Sequence, residues 1–386
     1  MEVFEPARLG PVVLRNRVIK AATFEGRTPD AVVTDALIEY HRRPAAGGVG
    51  MTTVAYCAVA PEGRTERGQI WMRPDAVPGL RRLTDAVHAE GAAVAAQLGH
   101  AGPVADASST GLPALSAGRF FNPLGMRFTR VATAADIDRI TRAHAEAARL
   151  AIESGFDAVE LHFGHNYFAS AFLSPRLNRR TDGYGGPIEN RAKVALGIAR
   201  AVRDEVGDRI AITAKLNMRD GVRGGLEIDD SLYVARRLQD EGTVDALELT
   251  AGSSLLNPMY LFRGEMPVPE FAASYKLPMR IGIRMFGKKF LRSYPYEDVY
   301  LLEHARRFRA ELDLPLILLG GITTKETMDR AMTEGFQFVA MARALLREPD
   351  LVNRIAADPS TPSLCIHCNR CVPTIYKGTH CPLIPA

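Results

Sequence analysis

Eight short apolar runs punctuate this chain, and each is followed by a segment of helical periodicity. The runs are RVIKAA (17–22), GMTTVAYCAV (50–59), AAVAAQL (92–98), DAVELHF (157–163), RIAITAKL (209–216), DALELT (245–250), LPLILLG (314–320) and FQFVAMA (336–342). Between them lie amphipathic stretches such as PGLRRLTDAVHAEG (78–91) and IDRITRAHAEAARLAIESG (137–155). Strands this apolar, alternating with helices, imply a parallel sheet covered by helices. Eight repeats fit a closed α/β (β/α)8 TIM barrel better than an open doubly wound sheet. No G-x-G-x-x-G follows the first strand, which weighs against a Rossmann domain. A chain of 386 residues is long for one barrel, and two insertions absorb the excess, 99–133 after strand three and 251–293 after strand six. The expected organisation is a barrel over 1–357 and a cysteine-rich tail over 358–386 packed on it.

The charge balance, 48 basic against 44 acidic residues, suits an anionic small-molecule ligand and does not suggest nucleic acid as a partner. No apolar run approaches the roughly 20 residues that cross a bilayer. The N-terminus MEVFEPARLG lacks a signal-peptide stretch, so no membrane and a cytoplasmic location are expected. A homo-oligomer is common for such chains, but no residue pattern selects one.

In a barrel of this kind the chemistry sits where strands end and βα loops begin. Strand three ends in AQLGHAG, with Gln97 and His100. Strand four ends in HFGHNYF, with His162, His165 and Tyr167. Strand five contributes Lys215, strand seven Gly320 and Gly321, and strand eight Ala342 and Arg343. A glycine pair lets backbone N–H groups approach an anion, and an arginine can grip it bidentately. Together they predict a phosphorylated ligand, although the glycines alone serve equally as a turn. The two histidines have no suitably placed carboxylate or further histidine nearby in sequence, which disfavours zinc.

The stretch HFGHNYFASAFLSPRLNRRTDGYGGPIENR (162–191) resembles the signature of the Old Yellow Enzyme family of FMN-dependent oxidoreductases. The similarity extends through PVVLRNRV, AQLGHAG, GGI and MARALLREPDL, over residues 3 to 357. It implies an FMN-binding barrel that takes hydride from NADH or NADPH and passes it to the activated C=C bond of an enone or enoate. On this resemblance His162 and His165 hydrogen-bond the substrate oxygen and Tyr167 donates a proton to carbon. Gln97 meets the flavin pyrimidine ring, Lys215 its N1–C2 edge, and Gly320, Gly321, Ala342 and Arg343 its phosphate. His100 and Tyr260 are expected at the substrate, with the 251–293 insertion shaping the pocket. Thr23 and Phe24 fall at the flavin's reactive edge, where the family commonly has Thr or Cys; an aromatic side chain cannot donate a hydrogen bond there. Asp182 and Arg191 are expected to pin their own loop.

The tail CIHCNRCVPTIYKGTHCP carries Cys365, Cys368, Cys371 and Cys381 in the spacing C-x2-C-x2-C-x9-C. Three readings are open: a [4Fe–4S] cluster, zinc, or reduced thiols. The tail resembles that of the trimethylamine dehydrogenase and 2,4-dienoyl-CoA reductase branch, where a cluster relays electrons. An external electron-transfer partner is expected only with a cluster. Two alternatives to an ene-reductase follow: an oxidative dehydrogenase of the trimethylamine dehydrogenase type, and a non-catalytic flavin electron-transfer protein.

Overall fold

A computed structural model describes residues 1–122, 126–275, 277 and 279–384; positions 123–125, 276 and 278 of the insertions, and 385–386 of the tail, lie outside the described residues. All eight expected runs form strands: β1 (Val18–Lys20), β2 (Met51–Ala58), β3 (Ala93–Gly99), β4 (Ala158–Phe163), β5 (Ala211–Asn217), β6 (Ala246–Thr250), β7 (Leu316–Leu319) and β8 (Phe338–Met341). They close in sequence order, β8 pairing with β1, and every pairing is parallel. Among the described residues no helix is long and apolar enough to cross a membrane.

Local chemistry explains the helices between the strands. The helix Ala134–Glu153 starts at a capping box, in which Thr133 accepts from the Asp136 N–H and the Asp136 carboxylate accepts from the Thr133 N–H. Its buried residues Ile137, Ile140, His144, Ala147 and Ala151 recur every three or four positions and face the barrel wall. Thr324 starts Lys325–Thr333 with a capping box to Thr327, and Thr34 caps Asp35–Ala46 by accepting from the Leu37 N–H alone.

The barrel interior is layered. At the base, Leu9 and Leu14 of an N-terminal hairpin pack on Ile19, Ala95, Ala158, Ala211, Ala246, Ile317 and Phe338. Small alanines on four strands leave room for that plug. Two residues further along, the inward positions turn polar: Gln97, Glu160 and Glu248, with Lys215 reaching them from β5. At the top stand His162, Asn217 and Thr250.

In the second insertion, helices Pro258–Phe262, Val268–Ala273 and Met279–Phe290 fold over the barrel mouth. Tail residue Val372 packs with Met259, Met266 and Leu291 of this cover. Asn369 donates to the Arg263 and Glu265 carbonyls, and the Thr379 N–H donates to the Glu25 carbonyl at 2.7 Å. The loop after β4 is pinned as expected, by partners spacing does not reveal. Arg191 reaches Asp230 at 2.6 Å and the Gly186 carbonyl at 2.9 Å, while Asp182 pairs with Arg180 at 2.6 Å.

Candidate active site

Strand β4 delivers its histidines through an unusual turn. His165 and Asn166 both have positive φ, 57° and 60°, a conformation that non-glycine residues hold only when neighbours over-determine it. The restraints are present. The His165 N–H donates to Asn217 Oδ1 at 3.1 Å, its Nε2 pairs with Thr250 Oγ1 at 3.0 Å, and Asn166 donates to Asp220 at 3.1 Å. Asp220 also accepts from Ser174, Asn217 and the Leu226 N–H. The turn brings the His162 and His165 rings to 5.2 Å and the His162 and Tyr167 rings to 4.4 Å, edge to face. Tyr56 packs on Tyr167 at 5.4 Å, aimed there by a β-bulge between Val54 and Cys57.

Burial sets the charge state of these groups. Desolvation lowers the His165 pKa to about 3, with Lys215 adding repulsion, and holds His162 well below the usual imidazole range. It pushes the Tyr167 phenol well above its ordinary value. His162 Nδ1 is buried and has no hydrogen-bond partner among the described residues. An unpaired buried polar atom costs about 1–3 kcal/mol, so this one is suited to a ligand atom.

These residues line a cavity of about 560 Å3 over the C-terminal ends of the strands. Gln97 and Lys215 reach it from the barrel interior; Thr23, Phe24, Ala342 and Arg343 border it; His162, His165 and Tyr167 stand in its wall. Lys215 is not a free cation. Its ammonium lies 2.6 Å from Glu248 and 3.2 Å from Glu160, all three buried, and Gln97 donates to the same Glu160 at 2.6 Å.

Two expected site residues, His100 and Tyr260, lie elsewhere. His100 is turned under the loop: its Nδ1 accepts from the Gly102 N–H at 2.9 Å and its ring packs on Phe168. Tyr260 points away from the cavity to His304 at 3.1 Å, while its neighbours Leu261 and Phe262 line the wall. Gly320 and Gly321 have φ of 99° and 77°, and a Cβ on Gly321 would stand 2.6 Å from the Val299 backbone nitrogen. The pair therefore admits segment 297–301; Leu319, just before it, lines the cavity. Side-chain direction at a strand end depends on the loop that follows, which the strand pattern does not encode.

Several residues of the site carry no obvious motif. Glu160 and Glu248 sit behind the floor, and Val372, Ile375 and Thr379 of the tail close one side. A detectable signal was the shared pattern AVELH and ALELT, which puts one glutamate at the third position of each strand. The insertion supplies the upper wall through Met279, Gly282, Ile283, Phe286 and Gly287, at helical spacing.

The four tail cysteines are free and line one small cavity with Arg343 and Arg347. Cys371 borders both this cavity and the large one. Burial raises Cys365 and pushes Cys371 up to about 11. Among the described residues no three His, Cys, Asp or Glu side chains are grouped so as to hold a metal ion.

A polar floor of amide and ammonium under a wall of paired neutral imidazoles and a phenol, at the mouth of a parallel barrel, is the arrangement of a flavin-dependent oxidoreductase. The chain belongs to the NADH:flavin oxidoreductase / NADH oxidase family, which it matches over residues 2–253, and to the Old Yellow Enzyme group within it. A 4,4'-dithiodibutanoate disulfide reductase of Rhodococcus erythropolis is 52% identical over 379 residues, covering 98% of this chain and 94% of that protein. A metal reductase of Desulforamulus reducens is 31% identical over 379 residues, 97% of this chain but 52% of that protein, so the chain spans about half of that relative. The solved Old Yellow Enzyme homologue of Zymomonas mobilis superposes with a TM-score of 0.76 at 22% identity, over 99% of this chain and 98% of that one, a likeness of fold. The protein is thus a flavin-dependent oxidoreductase that uses FMN and a nicotinamide hydride donor.

Proposed function

We propose that this chain reduces the activated C=C bond of an α,β-unsaturated carbonyl compound. The observation that carries this reading is the unpartnered, buried Nδ1 of His162 beside His165 and Tyr167 in the cavity wall. Gln97 and Lys215 would hold the FMN ring and Ala342 and Arg343 its phosphate, and the bound cofactor would supply hydride taken from NADH or NADPH. His162 and His165 hold the carbonyl oxygen and stabilise the charge that develops on it. Tyr167 gives the proton to the carbon beside the carbonyl. Phe24 borders the cavity where the family commonly places a hydrogen-bonding side chain, and its ring would shape that edge.

The neutral wall gives a pH expectation. Because burial keeps both imidazoles uncharged and Tyr167 protonated, kcat/KM for the acceptor should be level from about pH 5 to about 9. An acid limb near the ordinary histidine value of about 6.5 would show that a charged imidazole matters.

A second reading rests on the Rhodococcus relative, named as a disulfide reductase. Hydride arriving at one sulfur of R–S–S–R breaks the S–S bond, and the other sulfur leaves with the electron pair as a thiolate. With one proton from water, the products are two thiols and oxidised nicotinamide. Steady-state rates under anaerobic conditions with cyclohexenone and with 4,4'-dithiodibutanoate separate the two readings. Turnover of the enone well above that of the disulfide is expected for an ene-reductase; the reverse ranking would transfer the assignment to S–S bonds.

The cysteine cavity is the one observation behind an electron-relay reading. Iron and acid-labile sulfide, assayed on anaerobically purified protein, decide it. About four iron per chain would indicate a [4Fe–4S] cluster and an external electron partner; none would leave four thiols.

A further inference from the structure

Behind the cavity floor lies a charged cluster that hydride transfer does not itself require. Lys215 bridges two fully buried carboxylates, Glu248 on β6 at 2.6 Å and Glu160 on β4 at 3.2 Å. Glu160 is held in place a second time, by the Gln97 amide at 2.6 Å. Glu248 meets no such amide among the described residues: its partners are the Lys215 ammonium and, side chain to side chain, the Glu160 carboxyl group. One ammonium cannot neutralise two ionised carboxylates. The other nearby cation, Lys20 on β1, donates to the Ala21 carbonyl and Thr23 Oγ1 and is drawn first toward Glu25 and less toward Glu160, so two ammonium groups face three carboxylates. The cluster is therefore short of positive charge on the very wall where FMN lies.

We propose that Glu248 is the site of a redox-linked proton, taken up behind Lys215 when the bound FMN is reduced. The assignment rests on FMN lying against Gln97 and Lys215. Burial, pressed further by the Glu160 carboxylate and opposed by Lys215, raises the Glu248 pKa to about 8. Lys215 itself is held in its charged form: burial would lower it, but Glu160 and Glu248 more than reverse that. Hydride from the nicotinamide adds two electrons and one proton to the neutral flavin ring, which becomes an anion. A full negative charge developing across Lys215 raises the proton affinity of a carboxylate behind it by on the order of tenfold at interior dielectric. The balanced step is nicotinamide hydride, oxidised flavin, ionised Glu248 and one solvent proton going to oxidised nicotinamide, the reduced flavin anion and protonated Glu248. Glu248 thus cancels a charge that Lys215, already shared by two carboxylates, cannot cancel alone. Gln97 and Lys215 touch the flavin; Glu248 acts through Lys215 as a positioning and proton-holding residue.

The sign of the pH dependence follows. Well below about pH 8 Glu248 is already protonated in the oxidised protein, and reduction takes up the flavin's own proton only. From about pH 8 to about 9 it is partly ionised before reduction and regains its proton afterwards, adding about half a proton for a tenfold change in affinity. The measurement is the midpoint potential of the FMN-loaded protein against pH, read as protons per two electrons, with infrared difference spectra of the same reduction. Wild type should show a steeper slope between about pH 8 and 9 than near pH 7, and a carboxylic-acid C=O band appearing on reduction. Glu248→Gln should lose both while keeping its flavin absorbance. A wild-type slope of one proton per two electrons throughout would overturn the assignment without any variant. So would an extra proton that survives Glu248→Gln, a result that Glu160→Gln and Lys20→Met would then trace to its owner. Loss of FMN binding in wild type would instead defeat the flavin placement beneath the proposal, and absorbance alone distinguishes that case.

Discussion

Tyr167→Phe should slow enone reduction by roughly 10²–10⁴-fold, the usual contribution of a positioned proton donor, while reduction of FMN by NADH or NADPH stays nearly unchanged. The asymmetry has a physical origin. The phenyl ring keeps the edge-to-face packing against His162 and Tyr56, so the cavity keeps its shape and only the proton is lost. Carbon needs that proton, because a carbanion next to a carbonyl is a poor final state in a water-poor site. Sulfur does not: a thiol pKa of about 8.5 makes thiolate a competent leaving group. Disulfide reduction by the same variant should fall by less than about tenfold. Single-turnover reoxidation of the reduced flavin by each acceptor resolves the effect. Equal slowing of the reductive and oxidative halves would remove Tyr167 from the proton-donor role.

Lys215→Met should be the most damaging single change in the barrel. Removing one member of a buried ion pair costs about 3–5 kcal/mol, because the charge left behind has no solvent and no partner. Here Glu160 loses its counter-ion within a closed barrel, and Glu248, protonated well below about pH 8, loses its hydrogen-bonding partner and becomes a second stranded charge only above that pH. Part of that loss should return in the triple change Lys215→Met, Glu160→Gln and Glu248→Gln, which removes the stranded charges with their counter-ion. Urea unfolding of FMN-free protein gives both numbers without involving the cofactor. A Lys215→Met variant as stable as wild type would mean that Glu160 does not depend on Lys215 for its charge.

The barrel was legible because apolar β-rich runs and amphipathic helices alternate without a break, and every expected strand appears within a few residues of its place. His162, His165 and Tyr167 were legible as a group for a different reason: three scarce residue types crowd one strand end, and the chain must turn there. Other parts resist a linear reading. Glu160 and Glu248 each look like the polar half of an ordinary two-residue alternation, yet in a closed barrel their face points into the core rather than to water. His100 and Tyr260 follow the right strands but leave the site, since loop geometry decides their direction. The tail joins the wall through Val372, Ile375 and Thr379, hydrophobic and small polar residues with no spacing signal among conspicuous cysteines. Gly320 and Gly321 read as an anion cradle from spacing; what the strand pattern does not encode is that their missing side chains also make room for Tyr300, Leu301 and the backbone of segment 297–299.

The central claim is that the cavity over Gln97 and Lys215 holds an FMN that cycles between a nicotinamide and a small electrophile. It is tested most directly by an anaerobic titration in one cuvette, following flavin absorbance as NADH or NADPH and then an acceptor are added to FMN-loaded protein. The expected result is stoichiometric bleaching by the nicotinamide and full recovery on adding cyclohexenone, or 4,4'-dithiodibutanoate on the second reading. Protein that retains no flavin, or whose bleached flavin is restored by neither acceptor, would contradict it.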